Sequence, residues 1–193
     1  MSHRRKAQAA AAAPQDFDTL QPSNRSLPYV AIAGFVAHLT CGVVSSLFPD
    51  ESFGQILSWQ IGTGCAITAN VVMGVWLARK GADLAAAGFT MLGIVDTVFF
   101  SGLVVNTIEY RIAATGNLLL VPALILVTFC RLFPRWVKVA GWLVGALFLV
   151  SYARVARGTH RPGEAMQVAS FLGQEVLGVI WSVYIWREAR RER

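Results

Sequence analysis

Three ionisable side chains lie within long apolar stretches of this sequence: His38, Asp96 and Glu175. A charged side chain near the centre of a bilayer costs at least about 2.5–3.5 kcal/mol on insertion scales, so such residues normally face the interior of a helix bundle. Carboxyl groups close to an imidazole can take up and release protons near neutral pH. We therefore expect the three residues to form a proton-binding or cation-binding site.

Polar and small residues accompany each of the three at helical spacing. In the first apolar stretch, Gly34, His38 and Cys41 share one helix face, because they are separated by four and three residues. Similar stripes of polar and small residues run along the second, third and last apolar stretches. The candidate site residues are therefore His38, Asp96, Glu175, Gln174, Gln60 and Asn70.

The same residues have a structural interpretation, which the sequence leaves open. A satisfied polar network can fix the register of packed helices, with each hydrogen bond contributing about 0.6 kcal/mol on average. Motifs for metal, redox or hydrolytic chemistry are missing: the sequence has no HExxH, GxSxG, Walker loop or CxxC. We therefore expect no cofactor, no metal and no enzymatic activity.

The composition indicates which elements must position these side chains. The chain has 193 residues, of which 55% are hydrophobic and 15% charged, with a mean hydropathy of +0.52. Soluble domains carry about 25% charged residues, so this balance favours a membrane protein. Only a helix of about 20 residues satisfies its own backbone across a bilayer. Six stretches approach that length: 29–48, 55–78, 84–105, 116–132, 135–153 and 166–186.

The sequence thus predicts an all-α membrane protein, a bundle of six transmembrane helices. With the N-terminus inside, thirteen of the seventeen Lys and Arg residues fall on the inner side, so we expect both termini in the cytoplasm and a multi-pass protein of the inner membrane. The expected organisation is a disordered cytoplasmic tail at 1–28, a transmembrane domain at 29–187 and a basic C-terminus at 188–193. The cationic residues cluster at helix ends and form no basic stripe, so we expect no nucleic-acid partner.

Interfacial aromatic residues and small residues lead to two further expectations. Trp76, Trp136 and Trp186 at the inner ends, with Trp59 at an outer end, fit an aromatic belt. The spacing of Gly141 and Gly145, and that of Gly178 and Ser182, permits close helix contact, within one chain or between copies. Helices four and five are almost wholly apolar between their ends. We expect helices one, two, three and six to surround a polar interior, with four and five outside it or facing lipid.

Two short segments in the C-terminal third resemble a bacterial family. The segment from Leu132 to Val137, with Pro134 in its turn, is similar to the turn before the fifth helix of a family of six-helix membrane proteins known only as a domain of unknown function. The segment from Gln174 to Trp181 resembles the start of that family's last helix. The resemblance implies the six-helix architecture and a shared Glu175, and it implies no activity.

Three functional hypotheses remain. The first is a small proton-linked transporter or permease that moves protons or a small molecule through the polar interior. The alternative is a non-catalytic accessory or sensory membrane protein, with a structural polar core and a homo-oligomeric or membrane-protein partner. The third is an intramembrane lipid-modifying enzyme with Glu175 and His38 as acid and base, which would require an opening towards lipid or water beside them.

Overall fold

The structure, a computed structural model, describes residues 26–104, 107–108, 110–159 and 165–191. Within these residues the chain forms six helices and one pair of two-residue strands. The elements are α1 (Leu27–Ser45), α2 (Phe53–Arg79), α3 (Asp83–Gly102), β1 (Leu103–Val104), β2 (Thr107–Ile108), α4 (Tyr110–Val127), α5 (Arg135–Ala156) and α6 (Ala165–Arg191). The strands β1 and β2 are antiparallel and form a short hairpin between α3 and α4.

Local sequence sets the helix ends. The side chain of Ser52 accepts a hydrogen bond from Gln55 N at 3.3 Å and caps the start of α2. Gly81 ends that helix with a φ of 69°, a left-handed conformation that costs glycine little, and Ala82 N donates back to Leu77 O. This turn reverses the chain within three residues, so α2 and α3 are antiparallel neighbours.

The helices form a closed ring in chain order, with α6 returning to contact α1. Charged residues from three segments lie near one another at one end of the ring. Cys130, in the turn between α4 and α5, is close enough to feel the charges of Lys80 after α2, Lys138 in α5 and Glu188 in α6. The turns that the sequence assigns to the inner side are therefore close together in the fold.

The middle of the ring is filled by side chains from α3, α4, α5 and α6. Phe89 of α3 and Trp181 of α6 meet edge to face, with ring centroids 5.4 Å apart, and Phe133 stacks on the same indole. Nearer the opposite end, Phe171 contacts both Phe99 and Phe148. These aromatic contacts hold α6 across the ring from α3.

Five of the described helices are long and apolar enough to cross a membrane: α1, α2, α3, α5 and α6. In α4 the apolar segment is shorter, covering Ala114–Val127, and the helix contains Pro122. The chain thus has the fold of a multi-pass helical membrane protein.

The structure also revises details of the sequence analysis. Helix α4 spans residues 110–127, whereas the sequence predicted a helix over 116–132. The predicted end was too late because apolar residues continue beyond the helix into a turn. After Val127 the chain forms short-range turn hydrogen bonds, and the Thr128 hydroxyl donates to Ile125 O at 2.6 Å, which competes with helix continuation. The hairpin β1–β2 was not anticipated. The predicted tail at 1–28 and the last residues of the basic C-terminus lie largely outside the described residues.

The structure agrees only in part with the predicted belt of interfacial tryptophans. Trp136 and Trp186 are exposed on the surface of the bundle, as interfacial residues should be. Trp76 is instead 1% exposed and belongs to the core, with Lys80 Nζ 4.1 Å from its ring centroid. Its position near the end of α2 predicted a place at the membrane–water interface, but Trp76 lies on the face of α2 that points into the bundle.

Candidate functional site

The first and last helices meet through two ionisable side chains. His38 Nε2 of α1 lies 2.7 Å from Glu175 Oε1 of α6, and each residue is about halfway along its apolar stretch. The two side chains are 26% and 28% exposed, so the pair is partly accessible from the space beside it. A protonated imidazole and a carboxylate at this distance form a charge-assisted hydrogen bond, and neutral forms can share one proton.

A second polar pair joins α2 and α3. Asn70 Nδ2 donates to Asp96 Oδ2 at 2.7 Å, and both residues are only 4% exposed. Asp96 lies within electrostatic range of both His38 and Glu175. The three ionisable residues chosen from the sequence are therefore brought together, each on a different helix.

Close packing of α1 on α2 determines where the imidazole lies. A Cβ at Gly34 would come within 2.8 Å of Ala69 Cβ, and a Cβ at Gly62 would come within 2.8 Å of Cys41 Cβ. Glycine at both positions lets the two helix backbones approach closely. His38 Nδ1 then lies beside Gly62, where no hydrogen bond of good geometry joins it to a described residue.

Both polar pairs line one cavity of about 350 Å³ between α1, α2, α3 and α6. Its volume is within the range of small-molecule sites, roughly 300–1,000 Å³. Its polar lining residues are His38, Asn70, Asp96, Gln174, Glu175 and Ser182. The rest of the lining is mostly apolar or aromatic and includes Ile32, Phe35, Val36, Leu92, Val179, Trp181 and Trp186. No Lys or Arg is among the lining residues that the structure describes.

Two amide oxygens in this wall have no hydrogen-bond partner among the described residues. They are Asn70 Oδ1 and Gln174 Oε1, and both atoms are buried. A buried acceptor without a donor costs about 1–3 kcal/mol, so such atoms are normally satisfied by water or a ligand. The polar part of the cavity is therefore rich in acceptors that the protein itself does not satisfy.

The exposed lining residues indicate that the cavity opens sideways, between α1 and α6. Val36, Val179 and Val183 line it and are 55%, 46% and 42% exposed. At Gly178 a Cβ would meet no atom within 4 Å, so this glycine leaves the entrance wide on the α6 side. For a bundle in a bilayer, a lateral opening between two apolar helices faces lipid.

Five of the six candidate residues line the cavity: His38, Asn70, Asp96, Gln174 and Glu175. Gln60 is elsewhere, because its Nε2 donates at 2.7 Å to the backbone carbonyl of Leu103 in β1, directly after α3. None of the described side chains of α4 and α5 lines the cavity, although α4 supplies core residues such as Leu120 and Leu124.

Sequence analysis missed two features of this interior. Trp181 was noted only as part of a motif, yet it forms both cavity wall and aromatic core. Asn117 Nδ2 of α4 donates weakly to Ser151 Oγ of α5 at 3.4 Å, and both residues are at most 2% exposed. Both residues lie near the ends of their apolar stretches, where polar residues are ordinary, so nothing in the spacing distinguished them.

The small residues of α5 serve packing within the chain. A Cβ at Gly141 would contact Thr128, and one at Gly145 would contact Leu124, so both glycines face α4. Within the described residues, no group of three or more His, Cys, Asp or Glu side chains is arranged to hold a metal ion.

The class of protein is thus defined by its fold and cavity: a multi-pass helical membrane protein with ionisable groups inside. No family model, curated protein or solved structure matches the chain. The resemblance of the C-terminal third to a six-helix family accordingly stays a prediction.

Proposed function

We propose that this protein is a small proton-linked transporter whose proton-carrying groups are His38, Asp96 and Glu175. The observation that carries the proposal is that the three ionisable groups line one ligand-sized cavity between the helices. Residues of this type inside a membrane mark ion pathways and proton relays more often than they serve packing alone.

The His38–Glu175 contact supplies a switch for such a transporter. Protonation of Glu175 removes the negative charge that holds the imidazole, which weakens the link between α1 and α6. These two helices also border the lateral opening. Proton binding would thus loosen the helices that enclose a bound solute, which is the coupling that a proton-linked carrier needs.

The membrane arrangement that we propose is six spans with both termini in the cytoplasm of the inner membrane. The clustering of Lys80, Lys138 and the C-terminal end of α6 at one end of the bundle supports this arrangement. Basic residues are enriched on the cytoplasmic side of membrane proteins. Helix α4, with 18 residues, crosses as a short span packed between α3 and α5.

Proton flux in liposomes tests the proposal. The full-length protein is reconstituted, a pH gradient is imposed, and its dissipation is followed alone and after addition of amines, amino acids, organic acids and inorganic ions in turn. We expect at least one solute to accelerate dissipation in wild type, and Glu175→Gln to abolish the acceleration. Glu188→Gln is the matched control, because Glu188 is on the same helix but contacts Arg191 at 3.6 Å, outside the cavity.

Thermal stability of each variant in detergent is recorded with the flux. A stable Glu175→Gln protein that dissipates the gradient as wild type does would contradict the role of Glu175. No response to any solute in wild type, with Glu175→Gln clearly less stable, would favour the accessory or sensory alternative, in which the polar groups are structural.

The lateral opening gives a specific reason to keep a second candidate, an intramembrane enzyme acting on lipid. That activity requires a path for a lipid headgroup to His38 and Glu175, and the opening between α1 and α6 leads to the wall that holds them. Incubation of the proteoliposomes with mixed phospholipids, followed by mass spectrometry, tests it. Lipid products that disappear with His38→Ala would favour the enzyme over the transporter.

A further inference from the structure

We propose that the cavity binds an amphipathic primary amine, which enters from the membrane between α1 and α6. This inference deepens the proposed function, since it names the substrate class of the same cavity and rests on it for transport. Binding itself requires only the cavity. Charge, hydrogen-bonding capacity and wall composition each support it.

The charge of the cavity wall favours a cation. Two carboxyl groups, Asp96 and Glu175, line it, while His38 is the only basic side chain among the described lining residues. When all three are ionised the wall carries one net negative charge, because the imidazolium offsets Glu175 at 2.7 Å. Asp96 then remains without a cationic side chain in hydrogen-bond contact, since its described partner is the neutral amide of Asn70. A monocation restores neutrality.

The unsatisfied polar atoms favour an ammonium group over other cations. Asn70 Oδ1 and Gln174 Oε1 accept hydrogen bonds, and both are buried without a donor. A primary ammonium offers three N–H donors on one small centre, whereas a quaternary ammonium offers none. An ammonium head in this cavity would therefore offer donors both to the carboxylate of Asp96 and to amide oxygens of the same wall.

The remaining wall and the entrance favour an apolar tail. Apolar and aromatic side chains, Trp181 and Trp186 among them, form most of the lining, and they can cover an apolar tail. The entrance is bordered by exposed valines on α1 and α6, at positions that face hydrocarbon in a bilayer. An amphipathic amine concentrates in the membrane interface, so the lateral opening gives it a direct route.

Binding of three matched probes tests the inference. Phenylbutylamine, phenylbutanol and phenylbutyrate share one tail and differ in a cationic, neutral or anionic head. Each is dialysed to equilibrium against full-length protein in phosphatidylcholine nanodiscs at neutral pH, with empty nanodiscs subtracted for partitioning. We expect saturable binding of the amine, weaker binding of the alcohol by about tenfold or more, and no saturable binding of the acid. This comparison uses wild type alone, so it does not depend on the folding of a variant.

Two variants locate the binding. Asp96→Asn removes the charge but keeps the size of the side chain, and we expect it to weaken amine binding by about tenfold or more. Gly178→Leu places a side chain in open space at the entrance and should abolish binding. Gly42→Leu is the control, because Gly42 is on the exposed face of α1 and is also surrounded by open space. We expect it to bind the amine as wild type does.

The inference is overturned if the amine shows no saturable binding, if amine and alcohol bind equally, or if folded Asp96→Asn and Gly178→Leu proteins bind as wild type does. Its failure differs from failure of the proposed function. Proton flux driven by another solute, without amine binding, would remove the inference and leave the transporter. Amine binding without any coupled flux would keep the inference and remove the transporter.

Discussion

His38 Nε2 and Glu175 Oε1 lie 2.7 Å apart, and this contact joins the first helix of the bundle to the last. Every other pair of neighbouring helices in the ring is also consecutive in the chain and joined by the segment between them. Helices α1 and α6 have no such tether, so side-chain contacts alone must close the ring there. The contact that closes the ring is therefore an ionisable one, placed beside the cavity and its opening.

A double-mutant cycle should detect this contact. We expect His38→Ala and Glu175→Ala to show a coupling of about 1 kcal/mol in the free energy of unfolding, within the range for polar contacts between membrane helices. Denaturation in mixed micelles with increasing dodecyl sulfate measures it. Glu188→Ala combined with His38→Ala is the control and should show no coupling. Additive effects of His38→Ala and Glu175→Ala would show that the contact does not hold α1 to α6.

The buried Asn70–Asp96 pair should behave asymmetrically on substitution. Asn70→Leu removes the donor and leaves Asp96, which is 4% exposed, without its hydrogen bond, so we expect a loss of about 1–3 kcal/mol in unfolding free energy. Adding Asp96→Leu removes the stranded carboxyl group and should recover part of that loss. The same unfolding assay measures all three proteins. A double variant less stable than Asn70→Leu would contradict this account of the pair.

Two glycines should respond in opposite ways to the same substitution. At Gly88 of α3 a Cβ would come within 2.6 Å of Val127 N, a backbone atom of α4 that cannot rotate away. Gly88→Ala should therefore cost about 1–3 kcal/mol. At Gly64 of α2 a Cβ meets open space, so Gly64→Ala should be neutral or stabilise the helix by up to about 1 kcal/mol. Equal unfolding temperatures for the two variants would refute the close contact of α3 and α4.

Much of the candidate site was predictable because burying a charge in a membrane is costly. His38, Asp96 and Glu175 stand out against apolar surroundings, and the helical period indicates which residues share their face. The sequence therefore predicted the helices that line the cavity. It could not predict the partners: that Asp96 pairs with Asn70 and His38 with Glu175 depends on how the ring closes, which is a property of packing between distant segments.

The end of α4 and the hydrogen-bond partner of Gln60 were less predictable, each for its own physical reason. Apolar residues continue beyond Val127, so composition did not show that turn hydrogen bonds replace the helix there. Gln60 is on the polar side of α2 but sits closer to the N-terminal end of that helix, where Leu103 O accepts its hydrogen bond. Helical periodicity gives the face on which a residue lies, whereas its depth and its partner follow from the neighbouring helices.

Cys130 should be slow to react with thiol reagents in the folded protein. It lies in the turn between α4 and α5 and is 1% exposed, and burial raises the pKa of its thiol, so less of the reactive thiolate is present near neutral pH. The measurement is maleimide labelling of a variant in which Cys41 and Cys65 are serine, with and without dodecyl sulfate. We expect labelling only after unfolding.

The adjacent position provides the control for this prediction. Phe129 is 56% exposed, so Phe129→Cys in a background that lacks the native cysteines should be labelled rapidly in the folded state. Rapid labelling of native Cys130 under the same conditions would contradict the packing of this turn against α6, where Phe133 contacts Trp181 and Tyr184.

The path of α4 decides the topology of the whole chain. If α4 crosses the membrane, the turn at Lys80 and the turn at Cys130 lie on the same side, and the termini share that side too. If only the five longer helices cross, the chain beyond α4 is inverted and the two termini are on opposite sides. Labelling of intact cells with a membrane-impermeant maleimide distinguishes the two arrangements. Single cysteines are introduced into a cysteine-free background at Lys80, at Gly158 or after Arg191. We expect labelling at Gly158 alone, because the enrichment of Lys and Arg predicts that the other two positions are cytoplasmic. Labelling after Arg191 but not at Gly158 would show that α4 does not span, and it would place the C-terminal end of α6 outside the cell.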